Sequence, residues 1–277
     1  MSSLRDGSSG SGAAATKRQR VDDPPFHVIM PAPKVYKQPL QSSAYTPAFF
    51  DRRVLFEYVN NPTKYPHITF CETDKFIVIY DIFPKARVHL LILTKAAFLD
   101  NSSCEKVSDL NSSHLDLLLE MKELSKYLSS HIAVTSQMNR NIVNNNTRES
   151  IELPVSSSSS SSSGRKKIEI MVGFHIVPSL VPLHLHVISN DFQSDSLKTK
   201  VHYNSFSTDF FVPVDTVIRS IKMNPKIVQN LYDKYRNGRN GHADSRKINC
   251  FFCGELFKTM PVLKGHIGTC FRDYDSD

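Results

Sequence analysis

The sequence predicts an α+β fold from three observations: short apolar segments fall in two pairs, one long amphipathic segment separates the pairs, and a compact Cys/His tract follows near the C-terminus. Residues 1 to 45, rich in Ser, Gly, Ala and Pro, read as a disordered basic leader, and "KRQR" at 17 to 20 reads as a nuclear address. Residues 46 to 212 form the main domain. It opens with "TPAFFDRRVLFEYVNNPTKYP", where Phe50, Val54, Leu55 and Tyr58 share a helical face and Asn61-Pro62 ends the helix. Phe76 to Tyr80 and Val88 to Leu93 then read as a hairpin. The segment "SDLNSSHLDLLLEMKELSKYLSSHI" is an amphipathic helix, with Asp109 or Ser112 as its N-cap, that covers one face of the sheet. Residues 134 to 164, with Ser156 to Ser163 at their centre, cannot pack a core and read as a disordered insertion. "KIEIMVGFHIVPS" and "PLHLHVISNDF" supply the second strand pair. Residues 213 to 277 read as a basic helical linker and a finger.

A chain of 277 residues with 40% hydrophobic content can bury a sizeable core. Five cysteines and no signal-type N-terminus argue against a disulfide scaffold, and Cys71 and Cys104 read as small apolar residues. No apolar run approaches the roughly 20 residues a membrane helix needs, so no membrane partner is expected. The net charge of +7 is uneven, since residues 198 to 272 carry 13 Lys and Arg against 5 Asp and Glu. That balance suits a polyanion, because neutralised phosphates release condensed counterions.

Alternation along "VPLHLHVISNDF" places His184 and His186 on one face of a strand and Leu183, Leu185 and Val187 on the other. With His175 one strand earlier, three imidazoles converge. Such a cluster suits either phosphate chemistry or zinc, and no carboxylate stands nearby in sequence to complete a zinc site. Near the C-terminus, Cys250-x2-Cys253-x12-His266-x3-Cys270 sets two thiolates on a hairpin and two ligands on consecutive helical turns. One structural Zn2+ per chain follows, with Pro261 in the first helical turn and Phe257 and Leu263 as a small core.

"HLHVIS" after a Pro-Ser turn resembles the histidine triad family of nucleotide hydrolases and transferases, and "YDIFPKARVHLLIL" resembles that family's nucleotide-binding segment. "FPKARVHLLIL", "GFHIVPS", "HLHVISNDFQSDSLKTKVHYNSF" and the finger together are similar to the branch that removes AMP from 5'-adenylated DNA ends, in the form without a forkhead-associated domain. The resemblance spans residues 48 to 270 apart from the serine-rich insertion. It implies a histidine triad domain with an antiparallel sheet, followed by a ββα-type finger. It also implies that His184 is the nucleophile, that His186 holds phosphate oxygens, and that His175 and His89 are the other active-site histidines, with His175 aiding the leaving 5'-phosphate. Lys85 would face the phosphates, Ser179 would contact a phosphate, and Asp81 would accept from ribose hydroxyls. The family's first triad histidine falls at Pro182, whose carbonyl is still able to accept the Nδ1–H of His184.

Arg87, Lys198, Lys200, His202 and Asn204 are expected to contact DNA, as is the basic run from Arg219 to Lys247. Phe49, Phe50 and Phe56 offer a wedge against the exposed end of the duplex, Phe56 being the choice. The expected partners are nicked or double-strand DNA ends bearing 5'-AMP, with AMP as product, acted on by a nuclear monomer. Two other readings compete. A general hydrolase of dinucleotides or nucleotide phosphoramidates leaves the finger without a role, and a non-catalytic DNA-end binder rests on Pro182 alone.

Overall fold

The computed structural model describes residues 28–29, 51–95, 97–98, 104–144, 168–236 and 248–270. Among the described residues nine strands form: β1 (Val28–Ile29), β2 (Thr69–Thr73), β3 (Phe76–Tyr80), β4 (His89–Thr94), β5 (Ile170–His175), β6 (His184–Ser189), β7 (Phe211–Pro213), β8 (Ile248–Asn249) and β9 (Leu256–Phe257). Six α-helices accompany them: α1 (Val54–Asn60), α2 (Leu115–Asn144), α3 (Lys200–Ser207), α4 (Val214–Met223), α5 (Lys226–Arg236) and α6 (Met260–Cys270). The first seven strands make one antiparallel sheet in the order β1-β2-β3-β4-β6-β5-β7, and β8 pairs with β9. This is the α+β architecture expected, including the β3–β4 hairpin.

Several boundaries differ from the sequence reading. Val28 and Ile29, within the stretch read as leader, pair with Thr73 and Glu72 and add an edge strand. The strand β2 was not singled out, because Thr, Cys and Glu blur its alternation; the Thr73 hydroxyl accepts from the Phe76 amide at 2.9 Å to close its turn into β3. Neither expected residue caps α2. A 3₁₀ turn, Ser112–His114, precedes it, so the cap moves upstream to Asn111, whose Oδ1 accepts from the Ser113 amide at 2.9 Å. Helix α2 runs on to Asn144, through the first eleven residues of the stretch read as disordered; the serine run and "KRQR" lie outside the described residues.

The alternation of β4 and β6 divides the molecule into two layers. Leu90, Ile92, Leu185 and Val187 face one side and are buried under α2, α4 and α5 through Leu118, Met121, Leu124, Val217, Ile218 and Val228. The other side carries the histidines between two apolar clusters. At one end Leu55, Tyr58 and Val59 of α1 pack on Ile77, Ile79, Leu91 and Leu93. At the other, Ile188, Tyr203, Phe206 and Phe211 share one core with Ile248, Leu263 and Ile267 of the finger. The finger is thus packed into the body that holds the sheet, where the sequence reading sets it on a linker. Helices α4 and α5 belong to that body too: Val214, Val217 and Ile218 recur at helical spacing and draw α4 onto the sheet, and Val228 seats α5 in the same core.

Gly173 lies where β5 passes closest to β7. A Cβ there would stand 2.5 Å from the Val212 carbonyl oxygen and 2.7 Å from the Phe211 ring. Gly173→Ala should therefore lower stability by about 2 kcal/mol through overpacking. Chemical denaturation would measure it, and an unchanged midpoint would show that β7 yields without cost.

Candidate active site and metal finger

Register builds the histidine cluster. Pairing β4 with β6 sets His89 opposite Ile188, Leu91 opposite His186 and Leu93 opposite His184, all on one face. Pairing β5 with β6 sets Gly173 opposite His186, so His175, two residues on, ends β5 on the same face. His186 sits centrally, its ring centroid 4.4 Å from His175, 4.8 Å from His184 and 5.3 Å from His89. Phe206 of α3 closes over them, 4.5 Å from His175 and 5.2 Å from His186. Phe206 ends the stretch "HLHVISNDFQSDSLKTKVHYNSF", but nothing local in that stretch assigns its ring to the site.

The hydrogen bonds fix the tautomers. A carbonyl only accepts, so the 2.9 Å contact between His184 Nδ1 and the Pro182 oxygen puts the proton on Nδ1 and leaves a lone pair on Nε2. This is the arrangement expected of Pro182. The Lys85 amide donates to His89 Nδ1 at 3.2 Å, so the neutral ring carries its proton on Nε2 and donates it to His186 Nδ1, 3.0 Å away. His186 must then carry its own proton on Nε2. That Nε2, like the Nε2 of His175, is buried without a hydrogen-bond partner, which in a native interior marks a place where a ligand's acceptor belongs.

Electrostatics agree with neutral rings. Burial pushes His184 below the ordinary histidine range, against the Pro182 carbonyl and Asp81, and pushes His186 and His175 further, helped by the neighbouring rings. His89 falls to about 4, chiefly through burial, although Asp81 opposes it. Asp81 stays ionised: burial raises it, but His89, Lys85 and the Phe83 amide outweigh that and lower it. Burial lowers Lys85, with Asp81 holding it up, and its ammonium turns back on the Phe83 carbonyl.

The other expected residues divide. Ser179 is exposed in the loop between β5 and β6, and Arg87, Lys198 and His202 are exposed as well, with Lys200 half-buried at the start of α3. His202 lies close enough to Lys85 and Asp81 to feel both. Asn204, grouped with these, is instead buried in the interior side of α3 and offers no surface contact. Arg219, Lys222 and Lys226 ride on α4 and α5, across the sheet from the histidines, so that part of the basic tract does not border the site. Phe56 is half-buried on α1, with the Arg53 guanidinium 4.8 Å from its ring; Phe49 and Phe50 lie outside the described residues.

Among the described residues two groups of side chains come within metal-ligand reach. Asp81, His89 and His186 do so, supplying the carboxylate that was not visible nearby in sequence. There the Nδ1 atoms of both rings are already hydrogen-bonded, which disfavours a metal. Cys250, Cys253, His266 and Cys270 form the other. Three thiols and one imidazole are a donor set for a soft or borderline cation. His266 turns Nε2 toward Cys253 Sγ at 3.1 Å while Glu255 stands 3.7 Å from its Nδ1. Desolvation opposes it, but the Glu255 amide, Cys250 and His266 bring the Cys253 thiol down to about 7.

Neutral burial has a cost in acid. Between about 6.5 and 4 the unfolded chain binds a proton at His89 that the folded chain does not, so stability should fall with pH across that window by about 1.4 kcal/mol per unit. The other three histidines act in the same direction. Thermal unfolding against pH should show this fall, and His89→Asn, which cannot titrate, should flatten it; an unaltered profile would exclude His89 as a source.

Comparison with known proteins gives the same picture. The family described as "Scavenger mRNA decapping enzyme C-term binding" matches residues 53–150 and 128–202, together more than half of the chain. The aprataxin-like protein of Saccharomyces cerevisiae is 32% identical over 230 residues, 79% of this chain and 92% of that one. The aprataxin of Danio rerio is 30% identical over 204 residues, 74% of this chain but 50% of that protein, so the chain spans about half the length of such animal relatives. A crystal structure of the aprataxin ortholog Hnt3 in complex with DNA aligns with a TM-score of 0.47 at 24% identity, over 80% of this chain and 96% of that one. With 32% identity to the yeast aprataxin-like protein over nearly the whole of that chain, the chain belongs to the aprataxin family.

Proposed function

We propose that the protein is a DNA-repair hydrolase that removes AMP from adenylated 5' ends of DNA left by abortive ligation. One observation carries the reading: His184 is pinned through Nδ1 with its Nε2 lone pair free, directly beside a buried, partnerless Nε2–H of His186. A nucleophile next to a neutral donor suits attack at a phosphorus whose oxygens gain charge. Membership of the aprataxin family supports it.

In the proposed reaction His184 Nε2 attacks the α-phosphorus of the adenylate. A P–N bond forms, the P–O bond to the DNA 5'-phosphate breaks, and the 5'-phosphorylated strand leaves. Water then attacks the adenylated histidine, the P–N bond breaks, and AMP departs, two easier displacements replacing one hard one. His186 Nε2–H donates to the non-bridging oxygens, held in aim by His89, whose tautomer the Lys85 amide sets. His175 supports the leaving phosphate, and the Lys85 ammonium offsets the charge. Asp81, ionised and fixed by the Phe83 amide at 2.8 Å, takes the ribose hydroxyls. Arg87, Lys198, Lys200 and His202 grip the strand beyond the adenylate, with Phe56 and α1 against the duplex end and Ser179 at a phosphate. The substrate places the enzyme in the nucleus, and it acts as a monomer. In the finger Cys250, Cys253, His266 and Cys270 hold one Zn2+, whose contribution is structural.

His184→Ala should abolish AMP release from adenylated DNA while leaving the fold and DNA affinity near wild type. Acid-labile AMP trapped on His184 of the wild-type chain is the positive counterpart. Normal turnover by the alanine variant removes the nucleophile assignment, and faster hydrolysis of free diadenosine polyphosphate than of adenylated DNA favours a general dinucleotide hydrolase. For the finger, metal analysis should find about one zinc per chain, lost in Cys250→Ser and in His266→Ala because ligation and local folding are coupled. Full zinc in both variants rules out this ligand set.

A further inference from the structure

Beside the buried core that Ala86 of the loop before β4 shares with Leu263 and Ile267 of α6, a polar link also joins the finger helix to that loop. Lys264 of α6 lies between the hairpin ligands and His266 in sequence, and its ammonium donates to the Ser194 carbonyl at 2.7 Å. The Ser194 hydroxyl donates to the Pro84 carbonyl at 2.5 Å. It accepts in turn from the Ser196 amide at 3.2 Å, which leaves its own proton directed at Pro84. Pro84 immediately precedes Lys85, whose amide sets the His89 tautomer at 3.2 Å.

The chain geometry makes this link a short one. Just after β6, Phe192 takes φ 49°, a left-handed conformation that a bulky residue adopts only when its surroundings hold it. It is fully buried against Tyr203 and Phe251, 5.1 and 5.6 Å between ring centroids. The turn redirects the chain toward the loop 81–88. Tyr203 fastens the finger from the other side, its hydroxyl donating to the Asn249 carbonyl at 2.9 Å and accepting from the Phe251 amide at 2.8 Å, on either side of Cys250.

We propose that Ser194 is a positioning residue for the reaction, and that through Lys264 the metal-holding finger sets the loop that orients Lys85 and, by the Lys85 amide, the His89–His186 relay. The finger then governs the chemical step as well as any grip on DNA. This rests on the adenylate-hydrolase reading. A loop displaced by a fraction of an ångström at Pro84 and Lys85 misaims both the ammonium and the relay donor, and the loss appears in kcat, since Asp81, at the β3 end of the loop, keeps its place through its own amide bond to the His89 carbonyl at 3.0 Å.

The test uses the full zinc-loaded chain and two substrates, a small adenosine phosphoramidate and adenylated DNA. Ser194→Ala should lower kcat on the small substrate on the order of tenfold with little change in KM. Zinc content and melting temperature should remain near wild type, and Ser194→Thr, which keeps the hydroxyl, should restore the rate. Lys264→Met should act in the same direction and more weakly, being one bond further away. Wild-type kcat in Ser194→Ala overturns the proposal. So does a loss matched by a fall in zinc or melting temperature, or one that Ser194→Thr does not rescue, because a purely structural role predicts those. A wild-type chain that turns over neither substrate overturns the hydrolase reading, and the proposal with it.

Discussion

Everything at the site depends on the pairing of β4 with β6. Five consecutive residue pairs, His89 with Ile188 through Leu93 with His184, decide which rings share a face and which reach one another. A slip of one residue would send His184 and His186 into the layer of Leu118, Met121 and Val217 and bring Leu185 and Val187 to the ligand. That slip is opposed twice. Leu90, Ile92, Leu185 and Val187 would lose a fully buried environment, and the loop before β4 would lose its staples to the strand end: the Val88 amide to the Ser189 hydroxyl at 3.0 Å and the Arg87 amide to Asp191 at 3.2 Å. Asp191 is itself buried with the Arg87 guanidinium 3.1 Å away, so the loop is held to β6 by charge as well as by backbone.

Burial then acts on the chemistry the register assembles. Four imidazoles, three of them gathered around His186 and three of the four in contact with Phe206, cannot all carry charge, and desolvation keeps each neutral in the folded chain. Neutrality serves each ring differently. For His184 it preserves the lone pair on Nε2; for His89 and His186 it makes a directional chain in which each ring accepts at Nδ1 and donates at Nε2. Positive charge beside the rings comes from Lys85, whose ammonium is lowered by burial yet supported by Asp81. An anionic substrate would add to that support, so the site becomes more cationic as it is filled.

The histidine strand, the β3–β4 hairpin and the finger ligands were legible because period-2 alternation and metal spacing are local patterns, carried by residues a few places apart. Other features are not local. Val28–Ile29 is a strand only because β2 offers an edge, and nothing in two residues announces that. Asn111 displaces Asp109 and Ser112 as a cap because of a 3₁₀ turn that periodicity does not resolve. Asp81 meets His89 and His186 across a loop and a strand pair, so its closeness to them follows from register alone. Phe206 and Ser194 are of the same kind, ordinary residues in sequence whose roles come from where α3 and the chain after β6 are folded back.

Charge was the least local signal of all. Counted along the chain, residues 198 to 272 form one basic tract, but the fold distributes it over two surfaces. Lys198 and Lys200 stay at the start of α3, whose His202 lies near Lys85, and Lys264 is drawn inward to the Ser194 carbonyl. Arg219, Lys222 and Lys226 travel with α4 and α5, which the apolar stripe of Val214, Val217 and Ile218 carries to the far layer. The hydrophobic stripe wins because burying it is worth several kcal/mol in sum, whereas exposed charges separated by more than about 10 Å scarcely interact at physiological salt. Position relative to a site is therefore set by where apolar residues must go, and a charge count becomes an argument about binding only after the sheet has sorted the charges by face.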